Sequence, residues 1–128
     1  MILLGNVTMQ GDGEEKSYSS ALSYRADGGG VYIEQTAKVV IERGTVFRNL
    51  KGRNGGAIYL HQDRLTTTSL TKGFGYRTLR IFLFRNARFE NCEAEFDGGA
   101  IYVVNPLKMT LQDISFLGNS ARNEGGAL

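Results

Sequence analysis

The residues able to do chemistry in this 128-residue chain are few, and their spacing limits what they could do. Carboxylates come first, because cleavage of glycosidic bonds needs acids paired across one groove. Glu42, Glu90, Asp97 and Asp113 are scattered, and no pair recurs at a spacing that would stack two carboxylates together. They read as solvated surface charges. Asp27, Asn54, Asp97 and Glu124 each stand just before a Gly-Gly pair and read as turn residues rather than cation ligands. The single histidine, His61, and the single cysteine, Cys92, cannot make the common zinc sets. His61 reads as an exposed residue at the start of a loop, without a partner. Cys92 reads as a small semi-buried residue, and alone it forms no disulfide within the chain. Gly28-Gly29-Gly30 is followed by neither Lys-Ser/Thr nor a helix, so it is no phosphate loop. Gly11-Asp12-Gly13-Glu14-Glu15 has too few oxygen ligands for calcium. Asn6-Val7-Thr8 is a glycosylation triplet with meaning only in a secreting eukaryote. The residues assign no catalytic group, no metal and no cofactor.

Composition narrows the class further. Fifteen basic residues against thirteen acidic ones give a net charge of +2, which makes no case for nucleic acid or a membrane surface. The apolar run Ile2–Leu4 is too short to enter a membrane. Glycine is abundant, 17 of 128 residues against a usual share of roughly 7%, while proline occurs once, at Pro106. That balance fits short strands joined by tight corners.

Repeats supply the framework. Gly28-Gly29-Gly30-Val31-Tyr32-Ile33, Gly55-Gly56-Ala57-Ile58-Tyr59-Leu60, Gly98-Gly99-Ala100-Ile101-Tyr102-Val103 and Gly125-Gly126-Ala127-Leu128 share one phrase, at intervals of 27, 43 and 27 residues. The longer interval reads as the same repeat carrying a 16-residue insertion, placed at 61–79. A second phrase precedes each later pair: Phe47-Arg48-Asn49, Phe89-Glu90-Asn91 and Phe116-Leu117-Gly118-Asn119. Apolar residues alternate with period 2, as at Val39/Ile41 and Met109/Leu111, which is half-buried strand patterning. No Asn-Gly joins two strands at hairpin length. Strands this short gain partners by stacking repeat on repeat in parallel, with right-handed connections.

The expected fold is therefore all-β, a right-handed parallel β-helix of about four coils with pectate-lyase-like architecture. It is read as one domain fragment over 1–128: a partial or irregular first coil at 1–27, then coils at 28–54, 55–97 and 98–124. The predicted core includes Val31, Ile33, Ile41, Ile58, Leu60, Ile101, Val103 and Leu111, with Phe82 and Phe84, and columns of Phe47, Phe89 and Phe116. Gly28, Gly29, Gly55, Gly56, Gly98, Gly99, Gly125 and Gly126 form its corners. Asn49, Asn91 and Asn119 are expected to form a corner ladder in which side-chain amides satisfy turn backbone groups and one another. Tyr32, Tyr59 and Tyr102 fall on the outer face, in a stripe that either binds sugar rings or a partner's side chains, or only supports the sheet.

The insertion carries Leu65, Leu70, Phe74 and Tyr76, and is predicted to cover Ile81 and Leu83 on the outer face. Its basic residues Arg64, Lys72 and Arg77 would face water as a contact surface for an acidic partner. The chain stops at Leu128 inside a repeat phrase. An uncapped last coil predicts marginal stability and end-to-end association.

The Gly-Gly-Ala-Ile repeats with Phe-x-x-Asn upstream resemble, over residues 28–128, the passenger domains of polymorphic outer membrane proteins, the chlamydial autotransporter adhesins. Phe116-Leu117-Gly118-Asn119 followed by Gly125-Gly126-Ala127-Leu128 carries the full pattern, whereas Asn49 and Asn91 come one position early. The resemblance implies an extracellular or cell-surface setting and an adhesive, non-catalytic role toward a host-surface protein or glycan. Two other readings stand beside it: a carbohydrate-active enzyme whose site lies outside this chain, and a structural spacer.

Overall fold

A computed structural model describes residues 2–11, 27–34, 38–61, 81–105 and 108–128. Among them there is no helix. The strands are β1 (Ile2–Leu4), β2 (Thr8–Gln10), β3 (Val31–Glu34), β4 (Lys38–Ile41), β5 (Val46–Arg48), β6 (Lys51–Gly52) and β7 (Ile58–His61). They continue with β8 (Ile81–Arg85), β9 (Arg88–Glu90), β10 (Glu93–Ala94), β11 (Ile101–Val104), β12 (Lys108–Gln112), β13 (Ser115–Leu117) and β14 (Ser120–Ala121). They form four sheets, ordered β1-β4-β8-β12, β2-β5-β9-β13, β3-β7-β11 and β6-β10-β14. Every pairing is parallel.

Sheet neighbours are one repeat apart in sequence. Val31 pairs with Ile58 and Ile58 with Ile101. Between β3 and β7 the chain visits the three other sheets in turn, through β4, β5 and β6. Such an all-β stack of parallel strands is consistent with a β-helix. The same register places Glu34, His61 and Val104 opposite one another, and likewise Lys38, Ile81 and Lys108. The extra residues of the long repeat therefore lie between β7 and β8.

Period-2 alternation sends one column per strand position inward. Ile58, Leu60, Phe82, Phe84, Phe89 and Ile101 have no exposed surface. Phe47, Phe89 and Phe116 stack ring on ring, with centroids 4.9 and 5.3 Å apart. Four expected core residues depart from this. Leu111 is exposed, and Val31, Val103 and Phe116 are half-buried. All four sit on strands β12, β3, β11 and β13, which among the described residues have a stacked neighbour on one side only. Val40, outward by alternation and outside the core cluster, is nonetheless only 6% exposed. Leu83, its partner in β8, is half-buried. The insertion proposed to cover them lies outside the described residues.

Left-handed corners set the strand lengths. One falls at Asn6, Gly44, Asn86 and Asp113, just before β2, β5, β9 and β13. A second falls at Asn49, Asn91 and Gly118, just after β5, β9 and β13. A third is the first glycine of each Gly-Gly pair. Asn and Gly tolerate positive φ where other side chains clash with the backbone. The second glycine is needed for space instead. A Cβ on Gly56 would lie 2.0 Å from the Gly99 carbonyl oxygen and 2.6 Å from the Glu93 nitrogen.

Asn119 satisfies turn backbone groups as expected of a corner amide, but one position further along than Asn91. The phenylalanine register puts Gly118 level with Asn91 and Asn119 level with Cys92. The side chain of Asn119 reaches across to the repeat below: its Oδ1 accepts from the Cys92 N–H at 2.9 Å, and its Nδ2 donates to the Phe89 carbonyl at 2.9 Å. Asn91 holds the corner by backbone conformation, Asn119 by side-chain hydrogen bonds.

Candidate functional site

The outer face of β3, β7 and β11 carries the tyrosine stripe read from the sequence. Strand alternation turns Tyr32, Tyr59 and Tyr102 away from the core, and the register sets them directly above one another. Ring centroids are 5.1 Å apart for Tyr32 and Tyr59, and 5.6 Å for Tyr59 and Tyr102, with planes within 6° and 10° of parallel. A stack of this kind directs ring faces at one another. Both faces of Tyr59 are used within the ladder, so the surface offers ring edges and phenol hydroxyls. That arrangement is poorly suited to laying a sugar ring flat on each tyrosine.

Charged residues flank the ladder. At the far end of the strands the Nδ1 of His61 lies 3.5 Å from the Oε1 of Glu34, and its ring centroid is 6.3 Å from that of Tyr59. His61 is thus a strand residue with a partner, contrary to the loop position expected. Its register opposite Glu34 comes from stacking, which a linear sequence does not display. At the near end, Asp27, Asn54, Asp97 and Glu124 form a ladder of their own. The Asp27 Oδ1 accepts from the backbone and side-chain nitrogens of Asn54, at 3.1 and 3.0 Å. The Oδ1 of Asn54 accepts from the Asp97 N–H at 3.4 Å, and the Oδ1 of Asp97 from the Glu124 N–H at 3.2 Å. Desolvation raises the Tyr32 phenol pKa above its usual value, helped by Glu34 and Asp27. Tyr59 is raised by desolvation first, then by Asp27, the neighbouring phenols and Glu34. Both shifts hold the Tyr32 and Tyr59 phenols in their neutral, protonated form.

Next to Tyr102 is an open hollow of about 450 Å³, lined by Asp97, Val103, Met109, Glu124 and Leu128 among others. Its lining mixes the carboxylates of Asp97 and Glu124 with Ile101, Val103 and Met109, which face the core.

Other candidate groups are occupied structurally. Glu90 is 8% exposed rather than a solvated charge. Its Oε2 is 2.9 Å from the Arg48 Nε, and its Oε1 is 2.6 Å from the Arg88 Nη2. The paired β5/β9 register creates this clamp between repeats. Lys51 and Glu93 approach to 3.4 Å across β6 and β10. The Cys92 thiol is buried, with Sγ 3.5 Å from the Glu90 carbonyl and 3.7 Å from that of Phe47. Burial pushes its pKa up and keeps it a thiol. Among the described residues no group of three or more His, Cys, Asp or Glu could hold a metal. Arg64, Lys72 and Arg77 lie outside the described residues.

Sequence reading singled out the tyrosines and the glycine pairs but missed Asn6, Asn86 and Asp113 as corner residues. Their signal was present: Asn6-Val7-Thr8-Met9, Asn86-Ala87-Arg88-Phe89 and Asp113-Ile114-Ser115-Phe116 repeat one pattern. In sequence alone the first reads as a glycosylation triplet and the last as containing a solvated surface acid.

No curated protein and no solved structure matches the chain. Residues 113–128 match the Chlamydia polymorphic membrane protein repeat, so the window from the left-handed Asp113 through β13, Gly118, Asn119 and the Gly125-Gly126 pair is similar to one repeat of that family.

Proposed function

We propose that this chain is a stretch of right-handed parallel β-helix, about four coils long, in a cell-surface scaffold that binds a partner and is not itself a catalyst. Strand-by-strand stacking and the repeat match at residues 113–128 support the solenoid and the surface setting. The tyrosine ladder carries the binding role. Three aromatic residues stand in register on an outer face, and Tyr32 is 53% exposed. Solenoids commonly bind through an extended face of this kind, each repeat adding one equivalent contact.

The test displays the chain on inert beads and measures attachment to cultured cells and to arrayed glycans. Attachment is expected, with loss in a Tyr32→Ser/Tyr59→Ser/Tyr102→Ser variant that keeps the parent's circular dichroism. Equal attachment by that variant overturns the ladder as binding surface. A spacer predicts no attachment by either form. Shortening of a polysaccharide substrate by the purified protein would make the scaffold reading wrong and the enzyme reading right.

A further inference from the structure

The outer tyrosine ladder can do a chemistry that the phenylalanine stack inside cannot. Phe47 and Phe89 stack with centroids 4.9 Å apart and planes within 5° of parallel, fully buried and without a polar atom on either side chain. Tyr32 and Tyr59 stack in nearly the same way, at 5.1 Å and 6°, but with a hydroxyl on each ring. They face outward, Tyr32 exposed and Tyr59 half-buried. A phenol readily gives up one electron. Trp, which does the same, is absent from the chain, and the single thiol, Cys92, is fully buried. Among the described residues the ladder is therefore the accessible one-electron donor.

Oxidation takes one electron and the hydroxyl proton from each phenol. The Glu34 carboxylate accepts a hydrogen bond from the Tyr32 hydroxyl and is placed to receive that proton. The Tyr59 proton goes to water. In a phenoxyl radical the unpaired electron is spread over the oxygen and the ring carbons ortho and para to it. The para carbon bears the chain, which leaves the ortho carbons, Cε1 and Cε2, to couple. Parallel stacking in register sets these carbons of Tyr32 beside those of Tyr59. Each ring closes the remaining gap by turning about its Cβ–Cγ bond, a soft torsion.

We propose that Tyr32 and Tyr59 are a site of oxidative cross-linking, a Cε–Cε bond that staples one repeat to the next, formed by hydrogen peroxide acting through a haem peroxidase. The two unpaired electrons become the new bond. The hydrogens on the joined carbons leave as protons and both oxygens are protonated again, so the product is two hydrogen atoms lighter. The peroxide takes up two electrons and two protons and becomes two waters. The bond closes a loop of one 27-residue repeat, restricting the unfolded chain as a disulfide would. With one cysteine, the chain has no disulfide of its own to do this. The site stands apart from partner binding and does not depend on it.

The test exposes the dilute 128-residue chain to a haem peroxidase and hydrogen peroxide, isolates the monomer, and maps it with trypsin and tandem mass spectrometry. Trypsin leaves Tyr32, Tyr59 and Tyr102 on separate peptides, 26–38, 54–64 and 89–108. The expected product is a linked pair of 26–38 with 54–64, two hydrogen atoms lighter than its parts. As a share of all dityrosine, it should be about tenfold larger from the folded chain than from chain unfolded in urea, where nothing orients the rings. Tyr59→Phe keeps the ring without the phenol and should abolish the pair while leaving the circular dichroism unchanged. The linked monomer should unfold at higher urea than the unlinked one. An equal share from folded and unfolded chain overturns the proposal. So does a dominant link from 54–64 to 89–108, or to Tyr18, Tyr24 or Tyr76, which lie outside the described residues. Cross-links found only between chains also overturn it, as does a linked monomer that unfolds at lower urea.

Discussion

Gly56 and Gly126 hold the same place in the repeat phrase but have different surroundings. A methyl group on Gly56 would strike the Gly99 carbonyl, whereas on Gly126 it would meet only the Asn119 oxygen at 3.6 Å. Gly56→Ala should therefore destabilise by about 3 kcal/mol, the upper range for a forced backbone shift. Gly126→Ala should stay within about 0.5 kcal/mol. Urea melts of the two variants measure the difference, and equal losses would mean that close approach is not why the second glycine is there. The glycine phrase was legible because both its glycines answer backbone needs that few other residues meet. The asparagines were harder to read. Asn is suited both to a left-handed turn and to side-chain capping, and type alone does not say which role it has. Counting back from Gly-Gly put Asn119 with Asn91, but the phenylalanine register puts Gly118 there. Asn119→Ala removes two hydrogen bonds to Cys92 and Phe89 and should cost about 1–3 kcal/mol. Gly118→Asn, which places the residue type of Asn91 in the same left-handed corner, should cost less, because its Cβ would meet at 2.4 Å only the Asn91 amide oxygen, a side-chain atom that can turn aside. The same melts compare them.

Among the strands, inward columns were readable from alternation, while edge position was not. Val103 and Leu60 are equivalent in pattern, yet one is half-buried and the other fully buried, because only β7 has neighbours on both sides. Glu90 and His61 were misread for a related reason. Their partners Arg48 and Glu34 are in the preceding repeat, 42 and 27 residues away, and stacking alone brings them close. The tyrosine ladder gives this scale its pH signature. Desolvation raises the phenol pKa values of Tyr32 and Tyr59 in the folded chain, so the folded state holds its protons to higher pH than the unfolded state. The resulting stability is whole below the unfolded phenol value of about 10 and is lost as pH climbs through the raised folded values. Denaturation midpoints should be level with respect to these groups near neutrality and fall in strong alkali. The fall should be smaller in Tyr32→Phe/Tyr59→Phe. Identical alkaline profiles for the two proteins would show that the ladder does not contribute.

Across the molecule, the described strands touch only strands of the repeats before and after them, so stability should be distributed along the stack rather than held by one shared core. Among the described strands, β4, β5, β7, β8, β9 and β10 are bonded on both sides, while β1, β2, β3, β6 and β11 to β14 are bonded on one. Phe89 stacks on Phe47 and Phe116, whereas Phe116 stacks on Phe89 alone. Phe89→Ala opens a cavity between two neighbours and should cost about 4 kcal/mol, within the usual range for a buried phenylalanine. Phe116 is only half-buried, so Phe116→Ala should cost roughly half as much. Native-state hydrogen exchange provides the map. Amides of β8 and β9 should exchange slowest, and those of β1, β13 and β14 fastest. Phe116→Ala should speed exchange in β13 and β9 and leave β4 near its starting rate. Phe89→Ala should speed β5, β9 and β13 together. Uniform protection from β1 to β14, with either substitution accelerating every strand alike, would mean that the stack opens as one unit. Stability could not then be assigned repeat by repeat.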